Sequence, residues 1–179
     1  KLTKRVVEAA RPCGISVEAE IGHVAGGEGN NNEGNEVDTK SFSDPDEAAR
    51  FAEETGVDAL AIAFGTVHGV YKGTPHLHLD ILDKVREKVD IPIVMHGGSG
   101  LADEDFRNAV SHGVSKINFC TGLFLSATEA ARIIIEEHNN KIQLPAVLSA
   151  INGSIYKEVS HLFDVYGTQS INLADIAHK

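Results

Sequence analysis

The sequence predicts an α/β fold organised on a parallel sheet. Strand-like apolar runs alternate with stretches of helical periodicity along the chain. The central run, Val57 to Phe64, is apolar at nearly every position, as a strand covered on both faces requires. Between successive runs lie a turn and a helical stretch, the crossover that parallel pairing needs.

In chain order, Leu2, Val6, Val7 and Ala10 recur at helical spacing, and Arg11-Pro12-Cys13-Gly14 supplies a stop. Ile15 to Ile21 then alternates strictly, with apolar residues at odd positions, so Glu18 and Glu20 share one face of a strand. Two readings stand side by side. On an inward face two carboxylates would need a metal or a lysine partner to offset the cost of burial; on an edge strand both would sit in water. Gly22 to Ser41 is Gly, Asn, Glu and Asp with almost no apolar residue, and reads as a long mobile loop spanning about 22–42.

A helix follows, with Ser43 as its cap, Pro45 in the first turn and acidic residues at the positive end of the dipole. Ala48, Ala49, Phe51 and Ala52 form its apolar stripe and Gly56 ends it. After the strand at 57–64 come a glycine-containing loop to Pro75, a helix around Asp80 to Lys88, a strand from Ile91 to Met95, a helix from Asp103 to Ser111 and a short strand from Val114 to Phe119. Thr121 to His138 and Leu144 to Phe163 are helical by pattern. That makes four strands. A closed barrel of eight such units takes about 250 residues, so these 179 are expected to form part of one.

With 42% apolar residues the chain can bury a sizeable core. A formal charge of −10 argues against a nucleic-acid surface, and no run is long enough to span a membrane. Cys13 and Cys120 are too few for a disulfide framework, fit a reducing, cytoplasmic setting, and are expected to be buried small hydrophobes.

Two histidines sit just after apolar runs, His68 in Thr66-Val67-His68-Gly69 and His96 in Met95-His96-Gly97-Gly98. In a parallel α/β protein both project at the carboxyl ends of the strands, where such folds build active sites, and paired imidazoles there suit zinc. His23, His76, His78, His112, His138, His161 and His178 lack that context and read as surface residues. Gly97-Gly98-Ser99-Gly100, together with Asn118 to Thr121 opening the next helix, resembles an anion cradle of backbone N–H groups, and Lys72 adds a cation to the same rim.

Val17-Glu18-Ala19-Glu20-Ile21-Gly22, Gly65 to Gly73, Ile91 to Gly100 and Lys116-Ile117-Asn118 together resemble the class II, zinc-dependent ketose-bisphosphate aldolases, a family that includes the fructose-1,6- and tagatose-1,6-bisphosphate enzymes. The resemblance implies a (β/α)8 TIM barrel of which residues 1–179 form the C-terminal part, roughly strands 5 to 8 and the C-terminal helices. It implies reversible cleavage of a ketose 1,6-bisphosphate to dihydroxyacetone phosphate and glyceraldehyde 3-phosphate, in a cytoplasmic homodimer or homotetramer whose partner is a phosphorylated sugar. His68 and His96 match zinc (Zn2+) ligands, and Glu20 matches a glutamate able to hold a second divalent ion. Gly69, Lys72, Gly97, Gly98, Ser99, Asn118 and Thr121 match positions that cradle the dihydroxyacetone phosphate moiety, some beside a monovalent cation, Na+ or K+.

The pattern has gaps. The family's remaining zinc histidine and the catalytic aspartate close before it have no counterpart in this sequence. The loop glutamate used in proton transfer is matched only approximately, by Glu28, and Cys120 matches neither the fructose nor the tagatose pattern. The alternative expectation is a non-catalytic or truncated aldolase-like module that keeps phosphate or metal binding without turnover.

Overall fold

The computed structural model describes residues 1–26, 37 and 39–171. The chain divides into two compact units, 1–124 and 125–179. The first contains α1 (Leu2–Ala10), β1 (Glu18–Ile21), β2 (Ala25–Gly26), α2 (Pro45–Thr55), β3 (Ala59–Ile62), β4 (Val67–His68), α3 (Leu79–Arg86), β5 (Ile93–Met95), α4 (Asp103–Ser111) and β6 (Val114–Ile117).

Strands β1, β3, β5 and β6 pair in that order, every pair parallel. The order follows the chain without reversal. That is the winding of a barrel, whereas a doubly wound sheet turns back at a switch point. Strands β2 and β4 form a second, two-stranded parallel ladder, with Ala25 opposite Val67 and Gly26 opposite His68. Two residues per strand leave no periodicity to detect, so this ladder is not legible in the sequence. It also corrects the extent of the loop expected at 22–42: Ala25–Gly26 is strand and Thr39–Ser41 is a 3-10 turn.

Register sorts the strand residues between two faces. Ala19, Leu60, Ile62, Ile93, Met95 and Val114 face the helices. Ala19, Ala10 of α1 and Phe51 of α2 all pack against the cluster of Val7, Val17 and Val57, and Met95 and Phe106 of α4 both crowd against Gly98. Leu60, Ile62, Ile93 and Met95 are fully buried, and truncating one of them to alanine would cost about 2–5 kcal/mol. The opposite face carries Glu18, Glu20, Ala59, Ala61, Val94 and Lys116, aligned as Glu18 opposite Ala59, Glu20 opposite Ala61, Ala61 opposite Val94 and Val94 opposite Lys116.

Two local details differ from the sequence reading. Asp44, not Ser43, caps α2: its Oδ1 accepts from Asp46 N–H at 3.0 Å and Glu47 N–H at 2.9 Å. Ser43 is buried and staples two strand ends, its hydroxyl donating to Ile21 O at 2.8 Å and accepting from Ala63 N–H at 2.7 Å. A carboxylate accepts two N–H groups better than a hydroxyl, which frees the serine for the interior. Cys13 is exposed and Cys120 only partly buried, so neither behaves as a core hydrophobe; Cys13 lies in the Arg11–Cys13 turn, outside the packed stripe of α1.

Helix α5 (Thr121–Glu137) starts in the first unit and continues into the second, where it meets α6 (Leu144–Tyr166). The turn between them places Asn139 and Asn140 at positive φ, and the Ser126 and Ser154 hydroxyls lie 2.5 Å apart, so small side chains bring the helices close. No helix among the described residues is long and apolar enough to cross a membrane.

Candidate metal centre

Three side chains converge at the carboxyl ends of the strands. One ligand atom from each of Glu20, His68 and His96 lies within 4.8 Å of the other two. Glu20 projects from β1, His68 closes β4 and His96 follows the last residue of β5. The small side chains of β3 make the meeting possible: Ala59 and Ala61 lie beside Glu18 and Glu20 and leave the space above them to longer neighbours. Gly97 brings His68 close. Its φ is +77°, and a Cβ there would stand 2.4 Å from Val67 O, so only glycine lets the turn after His96 pass beneath the backbone that carries His68. The two imidazole centroids are 5.9 Å apart.

His96 lies between two carboxylates, with Nδ1 2.7 Å from Glu20 Oε2 and Nε2 3.2 Å from Glu18 Oε1. The hydrogen bond to Glu20 is the main cause of a His96 pKa held above its ordinary value, with Glu18 adding to it against the opposing effect of burial. Glu20 is lowered in turn, chiefly by its bond to His96. At Glu18 burial acts to raise the pKa, but bonds from Lys116 and His96 outweigh it and the net shift is downward. Lys116 Nζ lies 2.8 Å from Glu18 Oε2. Each of the two sequence readings of the glutamates holds in part: β1 is an edge strand and both residues are exposed, yet Glu18 has the lysine partner, Lys116, that the inward reading calls for.

That ion pair also reports curvature. β1 and β6 are the outer strands of the four-stranded sheet, and three strand spacings amount to about 14 Å in a flat sheet. Side chains stand roughly perpendicular to a flat sheet and would stay apart over that distance. Glu18 and Lys116 meet because the sheet curls with this face inside.

The donor set suits a divalent ion. Two imidazoles and a carboxylate are zinc ligands, and ligands about 2.1 Å from one ion stand up to about 4.2 Å from each other, so closing from 4.8 Å takes less than an ångström. Among the described residues three protein ligands gather, the number found in open, catalytic zinc sites.

The glycine turn and the start of α5 also meet. Ser99 is buried and its Oγ accepts from Gly122 N–H at 2.9 Å. Thr121, at 9% exposure, has an Oγ1 with no hydrogen-bond partner among the described residues. Asn118 donates its N–H to Met95 O at 2.9 Å, beside His96, and its Oδ1 accepts from Lys116 Nζ at 2.6 Å. Gly69, at φ +82°, turns the chain directly after His68. Lys72 is exposed and lines a cavity of about 400 Å³ with Val37, Thr39, Thr74, His76 and His78, a lining that includes none of the metal-cluster or glycine-turn residues. Glu28 lies outside the described residues.

Among residues given no role from sequence, Tyr71 stands out. Its hydroxyl donates to Gly97 O at 2.7 Å and accepts from Val67 N–H at 3.3 Å, and burial pushes its pKa up to about 12. It clamps the turns that carry the two histidines. Its position in the Gly69 to Gly73 run was the available signal. Of the histidines read as surface residues, His23, His76, His138 and His161 are exposed, His78 is half-buried beside Phe42 and His76, His112 is half-buried with Nδ1 2.6 Å from Asp83 Oδ1, linking α4 to α3, and His178 lies outside the described residues.

The family model for class II fructose-bisphosphate aldolase matches residues 1–170. The chain belongs to the class II aldolase family. The Escherichia coli (strain K12) protein YdjI, described as uncharacterized, is 42% identical over 147 residues, which is 79% of this chain and 48% of YdjI. The crystal structure of the YdjI aldolase from the same organism matches with TM-score 0.75 at 33% identity, covering 93% of this chain and 55% of that one. The fructose-bisphosphate aldolase structure from Campylobacter jejuni matches with TM-score 0.75 at 24% identity, covering 94% and 56%, and shares the fold. The chain thus spans about half the length of these aldolase relatives, and its four-stranded parallel arc corresponds to part of their barrel.

Proposed function

We propose that residues 1–179 are the C-terminal part of a class II aldolase barrel, and that the intact protein cleaves a ketose 1,6-bisphosphate reversibly into dihydroxyacetone phosphate and glyceraldehyde 3-phosphate. One observation carries the reading: Glu20, His68 and His96 converge at the strand ends, beside a glycine turn bonded to the start of α5. The coarser conclusion, membership of the aldolase family, supports it.

In this reading His68, His96 and Glu20 hold zinc, with Glu20 also placed to serve a second ion. When bound, the metal supplies a Lewis acid that polarises the substrate carbonyl. The chain's own residues position the substrate. Gly97, Gly98 and Ser99, with Thr121 at the start of α5, receive the phosphate through backbone N–H groups and the Thr121 hydroxyl. Gly69 and Lys72 border the same moiety, next to a monovalent cation. Asn118 donates to the oxygen that gains charge as the carbon–carbon bond breaks. The protein acts as a cytoplasmic homodimer or homotetramer.

The test is retro-aldol cleavage by the intact protein, with fructose and tagatose bisphosphates compared. A chelator should abolish it and zinc restore it, and His96→Ala should lower kcat by more than about 100-fold, equivalent to about 3 kcal/mol of lost stabilisation. Cleavage that resists chelation, or a lysine adduct trapped by borohydride, would overturn the reading. Zinc and phosphate binding without cleavage would favour the non-catalytic alternative.

A further inference from the structure

Lys116 stands on the inner face of β6, and its ammonium makes two bonds, 2.8 Å to Glu18 Oε2 and 2.6 Å to Asn118 Oδ1. An ammonium carries donors only. Asn118 must therefore turn its oxygen toward Lys116, and its NH2, the donor group of that side chain, is left facing away. An asparagine beside a neutral, two-way partner could present either end.

The neighbouring backbone is shaped for this arrangement. Ile93 lies opposite Val114 but Val94 opposite Lys116, so Ser115 is an extra residue in β6. Such bulges re-aim side chains. This one comes immediately before Lys116 and is followed by a lysine and an asparagine turned toward the face that bears Glu18. Asn118 is also held from its backbone by Met95 O, one residue before His96. Glu18, the second group that Lys116 holds, reaches His96 Nε2.

We propose that Lys116 is a positioning residue that presents the Asn118 NH2 as a hydrogen-bond donor to an oxygen of the bound ketose phosphate. The proposal rests on the aldolase reading above. Glu18 already matches the charge of Lys116, so the contribution of the lysine is orientation of the amide rather than direct attraction of the substrate anion.

The test uses the intact protein, with cleavage by the unmodified enzyme measured first. Lys116→Met should lower kcat by about 10- to 100-fold while KM moves by less than about threefold, the signature of a contact made mainly in the transition state. Asn118→Ala should lose at least as much. The double variant should be no slower than Asn118→Ala alone, because no amide remains to be oriented. Lys116→Arg, a donor only, should recover most of the rate, whereas Lys116→Gln, which offers either end, should not. A readout independent of turnover comes from selective 15N-asparagine labelling of the metal-depleted protein. The Asn118 side-chain NH2 pair should be sharp in the parent and in Lys116→Arg, and displaced or broadened in Lys116→Met.

Additive losses in the double variant, or a Lys116→Gln enzyme as fast as the parent, would overturn the proposal. So would failure of both Lys116→Met and Lys116→Gln to fold, which would make the lysine a scaffold residue. A parent without any cleavage would instead overturn the aldolase reading, and the amide spectra alone would then decide the part played by Lys116.

Discussion

Replacing Gly97 by alanine probes the contact that brings the two histidines together. The backbone there has φ +77°, and left-handed conformations cost an L-residue roughly 1–2 kcal/mol. The added methyl would also stand 2.4 Å from Val67 O, 2.6 Å from its carbonyl carbon and 3.0 Å from its nitrogen. Ordinary carbon contacts lie at about 3.5–4.0 Å, so the Val67 peptide must retreat by about 1 Å, and Val67 is fully buried. Forced shifts of that kind add about 1–3 kcal/mol, giving a total of roughly 2–5 kcal/mol. Gly14→Ala is the control, since Gly14 has φ +66° and nothing within 4 Å, leaving strain alone. Urea denaturation of metal-depleted intact protein should therefore rank Gly97→Ala well below Gly14→Ala. His68 follows Val67 directly, and a ligand displaced by about 1 Å exceeds the ±0.2 Å that metal geometry allows, so zinc affinity measured against a chromogenic chelator should fall at least 10- to 100-fold in Gly97→Ala and stay unchanged in Gly14→Ala. Equal stability and equal zinc affinity in the two variants would refute the reasoning.

Two further predictions concern strand ends and protons. Ser43→Ala should cost about 2–4 kcal/mol, because it leaves Ile21 O and Ala63 N–H unpaired in the interior, while Asp44→Ala should cost about 1 kcal/mol as a lost cap; the reverse order in urea would contradict the stapling role. In metal-depleted protein His96 should titrate above 6.5 by NMR and fall back toward that value in Glu20→Gln. Its raised folded pKa means that the stabilisation is fully present below about 6.5 and is lost as pH rises through the folded midpoint. Zinc needs the deprotonated ring, so its affinity should climb over the same interval. A midpoint at or below 6.5 would count against the carboxylate clasp.

What the sequence could show depended on how local each cause was. The alternation at Ile15 to Ile21 places both glutamates on one face, but the orientation of Glu18 rests on Lys116, which the sequence marks only as a charge inside a short strand and as part of the Lys116-Ile117-Asn118 motif, with no sign that it reaches Glu18. His68 and His96 were legible because a glycine follows each after an apolar run. Ser43 reads as the cap from sequence, and what draws it away and leaves the place to Asp44 is the buried carbonyl of Ile21, a tertiary partner. The ladder of Ala25–Gly26 with Val67–His68 was illegible for the same reason: it is an encounter between two loops. Cys13 was misjudged because an apolar residue type says little at a helix stop.

The contacts that shape the candidate site share one more property. His96 reaches Glu20 and Glu18 across 76 and 78 residues of chain, and Lys116 reaches Glu18 across 98. The helices close within a few residues, whereas these polar contacts wait on the slow joining of distant segments. Helical structure alone therefore builds no metal-binding pocket. The ability to take up an ion arrives only when β1, β4 and the end of β5 have come together, so metal uptake is a readout of long-range assembly.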